Sequence, residues 1–78
     1  MLKTITLAGT WLALPDIQAG RVDLENNSGS DIQIRYVHAP SDTITRKDGR
    51  SVSLPIPNLR ASTIELNGTG EVDCVFTV

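Results

Sequence analysis

Residues 21–36 read RVDLENNSGSDIQIRY, with apolar and polar side chains alternating on both sides of a polar gap. Successive side chains of a β-strand point to opposite faces, so a period of two predicts strands with one buried side and one solvent-facing side. The gap, Asn26 to Ser30, has the Asn, Ser and Gly composition of a turn. This stretch therefore predicts two strands joined as a β-hairpin.

The same alternation continues along most of the chain. Asp-Gly and Asn-Gly turns at residues 47–50 and 67–70 separate the later strands, and the stretch without alternation, residues 12–20, contains Pro15 and is not expected to form a helix. The pattern predicts a small antiparallel β-sandwich or barrel of six to seven short strands. Its predicted inward positions are Ile5, Leu7, Val22, Leu24, Ile32, Ile34, Tyr36, Val52, Leu54, Ile56, Ile64, Leu66, Val72, Cys74, Phe76 and Val78.

The chain has 78 residues, enough for a single domain with a small core. Domains of this size are commonly stabilised by disulfides, metals or oligomerisation. Cys74 is the only cysteine, so no internal disulfide is expected, and His38 has no neighbouring ligand at the spacing of a zinc site. Oligomerisation is therefore the expected source of additional stability.

Seven basic and nine acidic side chains give a net charge of −2 and are interspersed along the sequence. This distribution argues against nucleic acid and against an anionic membrane as partners. The first residues, MLKTITLAGTWLAL, are interrupted by threonine and glycine, so we interpret them as mature sequence rather than as a signal peptide.

The residue types used in catalysis do not form a recognisable motif. His38, Ser41 and Asp42 share one loop, which we interpret as a solvated turn, because a catalytic triad is held by separate elements. Cys74 has the inward phase and is expected to be buried and unreactive. The carboxylates occur singly at outward positions, as on a solvated sheet face. We therefore predict no enzyme activity, no cofactor and no metal site.

Trp11 lies outside the alternating strands, together with Leu12 and Leu14. Tryptophan is enriched in interface hot spots, so these three residues are candidates for contact with a partner chain. In that interpretation residues 1–15 form an extended arm or docking segment. In the alternative, the segment folds over the open end of its own sandwich.

A short, cysteine-poor all-β chain with strand-Asn-Asn-Ser-Gly-strand at residues 21–37 and the terminal strand GTGEVDCVFTV resembles the small virion accessory proteins of tailed bacteriophages. These are capsid decoration (cement) proteins and small head or tail fibre modules. The resemblance implies a β-sandwich or barrel that forms homo-oligomers, often trimers, and binds other virion proteins such as a major capsid protein. It also implies a place in the virion after assembly in the host cytoplasm.

The predicted function is therefore that of a non-enzymatic structural protein of a phage particle, acting through protein–protein contacts. The alternative is a small ligand-binding β module of oligosaccharide-binding or OB type. That alternative needs an aromatic or basic face, for which the sequence offers Tyr36, Arg35, Arg46 and Arg50.

Overall fold

The computed structural model describes all 78 residues, Met1–Val78, and its regular structure is eight β-strands and two short 3-10 turns, Pro57–Leu59 and Ala61–Thr63. The strands are β1 (Leu2–Thr6), β2 (Leu12–Ala13), β3 (Arg21–Asn26), β4 (Ile32–Tyr36), β5 (Ile44–Arg46), β6 (Ser51–Pro55), β7 (Ile64–Asn67) and β8 (Glu71–Thr77). The predicted antiparallel sandwich is confirmed. The predicted strand number is too low, because β2 has only two residues and leaves no visible alternation.

The strands form two four-stranded sheets. One has the order β1-β8-β3-β6 and the other β2-β7-β4-β5, and we call them the 1-8-3-6 sheet and the 2-7-4-5 sheet. All pairings are antiparallel. Each of the pairs β1/β2, β3/β4, β5/β6 and β7/β8 is divided between the two sheets. This strand order is that of a jelly roll.

The predicted hairpin at residues 21–36 is wrong, because β3 and β4 lie in different sheets. The turns at 47–50 and 67–70 likewise carry the chain from one sheet to the other. We call such a connection a crossing. Turn composition indicates that the chain reverses, but it does not indicate whether the next strand pairs with the previous one or crosses the roughly 10 Å between sheets. The only hairpin of consecutive strands joins β4 to β5.

The buried residue Asn26 connects two of the crossings, the one from β3 to β4 and the one from β5 to β6. Its side chain is fully enclosed, at 0% exposure. Its Nδ2 donates to the carbonyl oxygens of Ser30 and Arg46, both at 2.9 Å, and its Oδ1 accepts from the N–H and the hydroxyl of Ser28 at 3.1 and 2.6 Å. Both donors and both acceptor positions of the amide are therefore used inside the protein.

Backbone contacts hold the same two crossings together. The N–H of Asn26 donates to the carbonyl oxygen of Arg50 at 2.9 Å, and its own carbonyl oxygen accepts from Gly49 at 2.7 Å. The N–H of Gly29 donates to Oδ1 of Asp48 at 2.9 Å. The connection between β3 and β4 is thus hydrogen-bonded to the connection between β5 and β6.

Two further crossings, from β1 to β2 and from β7 to β8, lie at the same end of the sandwich. The N–H groups of Leu7 and Gly9 donate to the carbonyl oxygens of Gly70 and Gly68, each at 2.8 Å. Gly70 has a φ of +89°, and a β-carbon there would lie 2.6 Å from the carbonyl oxygen of Ser28. Glycine is therefore required at Gly70 both by the left-handed backbone and by the close approach of the neighbouring crossing.

The core lies between the sheets and follows the predicted alternation. The four residues expected at its centre, Ile34, Leu54, Leu66 and Phe76, are all buried. Among the predicted inward positions, Tyr36 and Val52 are half-buried, and Val78 is exposed because it follows the last residue of β8. Connecting segments contribute further buried residues that have no alternation to mark them, namely Leu14, Ala19 and Ala61.

Residues 1–15 pack on their own domain. β1 pairs with β8, β2 pairs with β7, and the N–H of Leu14 donates to the carbonyl oxygen of Ile64 at 2.9 Å. The segment thus supplies an edge strand to each sheet of its own domain. Its role as a docking segment stays a prediction.

Replacing Asn26 by Ala should lower the free energy of unfolding by about 3 kcal/mol, since it leaves the Arg46 carbonyl and the Ser28 N–H without these partners at a buried site. Urea denaturation measures the change. Asn27→Ala is the matched control. It removes one exposed hydrogen bond to Asp73 and should cost less than about 1 kcal/mol. Equal losses for the two variants would contradict the central role of Asn26.

Candidate protein-interaction site

Three side chains form an ordered group on the outer face of the 2-7-4-5 sheet. The guanidinium carbon of Arg35 lies 3.8 Å from the ring centroid of Trp11. The Nε of Arg35 donates to Oε1 of Glu65 at 2.9 Å. The cation of Arg35 is therefore held by an aromatic ring and a carboxylate, and we call this group the Trp11–Arg35–Glu65 stack.

The strand order produces the stack. β7 lies between β2 and β4, and Glu65 of β7 is directly opposite Arg35 on one side and Ala13 on the other. Residues in one such row share a face of the sheet. The opposite charges of Arg35 and Glu65 attract each other because the two residues lie directly across an antiparallel pair. Trp11 immediately precedes β2, at the edge of the same sheet.

The stack contributes more to order than to stability. The side chains of Arg35 and Glu65 are 23% and 21% exposed, so the ion pair remains partly screened by solvent. Such pairs contribute about 1 kcal/mol or less, and a cation–π contact about 0.5 to 2 kcal/mol. Because Arg35 is already fixed from two sides, less side-chain entropy is lost when another molecule covers it.

A second ordered polar pair extends the face beyond the stack. The amide of Asn67 donates to Oε1 of Gln33 at 3.2 Å, and Thr45 lies in the same row on β5. On the outer face of this sheet, aromatic, charged and amide groups thus already have intramolecular partners.

Of the three residues predicted to contact a partner, only Trp11 is placed for that role. Leu12 points inward, is half-buried and packs against the core, and Leu14 is 2% exposed. Arg35 and Glu65 were not predicted as members of this site. Their outward phase was visible in the alternation, whereas the adjacency of β7 to both β2 and β4 was not.

The loop with His38, Ser41 and Asp42 does not bring these side chains together by hydrogen bonds. The ring of His38 stacks on Tyr36, with centroids 5.6 Å apart. Ser41 and Asp42 are exposed, and neither side chain caps a backbone amide. Instead the N–H of Asp42 donates to the carbonyl oxygen of Ala39 at 3.0 Å, so the turn is closed by its backbone.

Cys74 is fully buried, as predicted. Burial, and to a lesser extent the negative charge of Asp73, raises the pKa of its thiol to about 12. The thiol therefore remains protonated at neutral pH, and the thiolate that attacks electrophiles is scarcely populated.

The prediction that carboxylates occur singly is wrong for the outer face of the 1-8-3-6 sheet. Glu25 and Asp73 are directly opposite each other on β3 and β8, which are distant in sequence. The oxygens Oδ1 and Oδ2 of Asp73 accept hydrogen bonds from Thr4 at 2.8 Å and from Asn27 at 2.9 Å. The structure contains no group of three or more His, Cys, Asp or Glu placed to hold a metal ion.

An apolar cleft of about 270 Å³ opens between the sheets, where the short strand β5 leaves part of β4 uncovered. The hydroxyl of Tyr36 donates to the carbonyl oxygen of Pro55 at 2.7 Å and connects the two sheets beside it. The lining residues are Ile34, Arg35, Tyr36, Ala39, Asp42, Ile44, Leu54 and Ile64. Asp42 supplies the only carboxylate.

Comparison with known proteins found no matching family model, no matching curated protein and no matching solved structure. None of the helical turns is long and apolar enough to cross a membrane. The function is therefore inferred from the surface and the topology described above.

In the native protein Cys74 should react slowly with a thiol reagent at pH 7 to 8, because its thiol is buried and its pKa is raised. The rate should increase strongly in denaturant, where the ordinary thiol pKa is restored. The measurement is the labelling time course followed by intact mass with and without urea. Rapid labelling of the folded protein would show that the last strand opens readily.

Proposed function

We propose that this chain is a non-enzymatic structural protein of a phage particle, which acts by binding another virion protein such as the major capsid protein. The observation that carries the proposal is the Trp11–Arg35–Glu65 stack. Tryptophan and arginine are prominent among interface hot spots, and here both are fixed before a partner arrives.

The architecture supports the same proposal. Two four-stranded sheets in jelly-roll order are found in viral capsid domains, although also in lectins and cupins. Since a fold by itself does not define a function, the surface of the protein has to distinguish a capsid-binding role from the roles of lectins and cupins. A compact sandwich with an ordered polar outer face provides a rigid contact surface.

The chemistry of the face also indicates the kind of partner surface it fits. Glu65 already balances the charge of Arg35, while Trp11 and the amides of Gln33 and Asn67 provide apolar and hydrogen-bonding contacts. Such a face complements an apolar group surrounded by hydrogen-bonding groups. A strongly charged partner would gain little from it.

The direct test is to look for the protein in particles. Particles are purified by density gradient from the phage or lysogen whose genome carries this sequence, and their proteins are quantified by mass spectrometry. A fixed ratio to the capsid or tail proteins is the expected result. Absence from purified particles, with the protein present in the lysate, would overturn the proposal.

Trp11→Ala should weaken binding to particles prepared without this protein by about 2 kcal/mol, since the hot-spot ring and the support of Arg35 are both lost. The measurement is a co-sedimentation titration. Thr45→Ala, on the same face at the opposite edge, is the matched control and should bind like the wild type. A parallel thermal melt tests the fold. If Trp11→Ala unfolds the domain, then Trp11 is required for the domain itself and the assigned contact is wrong.

The apolar cleft favours a second candidate, a small ligand-binding module. Its volume of about 270 Å³ exceeds the roughly 150 Å³ of a cavity that binds benzene. The jelly-roll order differs from the five-stranded OB barrel, and the apolar lining suits a small apolar molecule better than an oligosaccharide. Saturable NMR shifts with toluene, abolished by Ile44→Trp, would support this candidate, and no shifts in the wild type would remove it.

A further inference from the structure

β1 is the outermost strand of the 1-8-3-6 sheet and leaves backbone groups unpaired. The N–H of Phe76 donates to the carbonyl oxygen of Met1, and the N–H of Leu7 donates to that of Gly70. Along an antiparallel ladder, residues that hydrogen-bond to the neighbouring strand alternate with residues that do not. The backbone N–H and C=O groups of the odd-numbered residues of β1 therefore point toward β8. The even-numbered residues Leu2, Thr4 and Thr6 therefore direct their N–H and C=O groups away from the sheet.

The other edge strands offer less. β2 has two residues and β5 has three. On β6 the free-edge positions are Ser51, Ser53 and Pro55, because the N–H of Ile56 donates toward β3, to Gly20. Proline has no N–H, and the carbonyl oxygen of Pro55 already accepts the Tyr36 hydroxyl. β1 is the edge with the largest number of free donors and acceptors.

Exposed apolar side chains accompany this edge. Leu2 is 66% exposed and Val75 is 42% exposed, and the two are direct neighbours across β1 and β8. A free strand edge next to an exposed apolar pair is a typical site for the addition of another strand.

We propose that β1 pairs with β1 of a second copy of this chain, antiparallel about a two-fold axis at Thr4. In this register Thr4 lies opposite Thr4 of the second copy, and Leu2 lies opposite its Thr6. All the free N–H and C=O groups of the three residues are then paired. The two 1-8-3-6 sheets join into one continuous sheet of eight strands.

Symmetry identifies the occupant as a second copy. The free groups at residues 2, 4 and 6 are evenly spaced about Thr4, so the strand is complementary to itself, as an isologous two-fold interface requires. An axis at Lys3 would place two ammonium groups directly opposite each other, which is unfavourable. The axis at Thr4 instead places Lys3 opposite Ile5 of the second copy.

The dimer closes without further growth. Its continuous sheet ends at β6 on both sides, and there Pro55 interrupts the edge. Proline at an edge disfavours the addition of another strand. The Trp11–Arg35–Glu65 stack lies on the other sheet, so this dimer does not depend on the proposed contact with a virion protein.

The test measures mass by analytical ultracentrifugation over a concentration series. The wild type should form a dimer. Thr4→Pro removes an N–H that faces the free edge and no bond of the β1–β8 ladder, so the domain should still fold. Both copies of the dimer carry the substitution, so two hydrogen bonds across the interface are lost. Dimerisation should therefore weaken by at least about tenfold. Thr4→Val, which loses only the hydroxyl bond to Asp73, should dimerise like the wild type.

Ser53→Pro is the matched control, because it removes a free-edge N–H from β6. It should leave the dimer intact. The inference is overturned by a wild type that is monomeric up to its solubility limit, by a trimer, or by a dimer that Ser53→Pro dissociates and Thr4→Pro does not. If Thr4→Pro fails to fold, hydrogen exchange decides. The amides of Leu2, Thr4 and Thr6 should be protected in a concentration-dependent way, and fast exchange at all concentrations overturns the inference.

Discussion

The buried amide of Asn26 is the contact on which the crossing geometry depends. A jelly roll requires the chain to leave one sheet and enter the other repeatedly, and at each crossing peptide groups lose their ladder partners. Buried peptide groups must be hydrogen-bonded. Asn26 satisfies the carbonyls of Ser30 and Arg46 and the N–H of Ser28, so one side chain replaces the missing ladder for two crossings at once.

The alternation of the sequence was sufficient to predict which side is buried in the strands that show it, as Ile34 and Leu66 demonstrate. It was not sufficient to predict which strands are neighbours. Asn26 lies opposite Val72, and Arg35 lies opposite Glu65, pairings that no local pattern specifies. Trp11 was recognisable by residue type alone, whereas its companions in the stack depend on the order of three strands that are far apart in the chain.

The two outer faces of the sandwich differ in charge, so the molecule is electrostatically asymmetric. Asp23, Glu25 and Asp73 make one face acidic, while on the other the charge of Arg35 is matched by Glu65. An acidic partner surface is repelled by the first face and tolerated by the second. Electrostatic complementarity mainly determines which surfaces meet. Contact through the 2-7-4-5 sheet would therefore orient the acidic face outward.

The strand order also affects how the protein is made. β1 contacts β8 as its only neighbour in the sheet, so β1 leaves the ribosome well before the strand that it pairs with. At about 5 to 20 residues per second, synthesis of the intervening chain takes several seconds. During this time β1 is unpaired. Its sequence, LKTIT, mixes lysine and threonine with its apolar residues, which limits aggregation of a strand that has no partner until β8 has been synthesised.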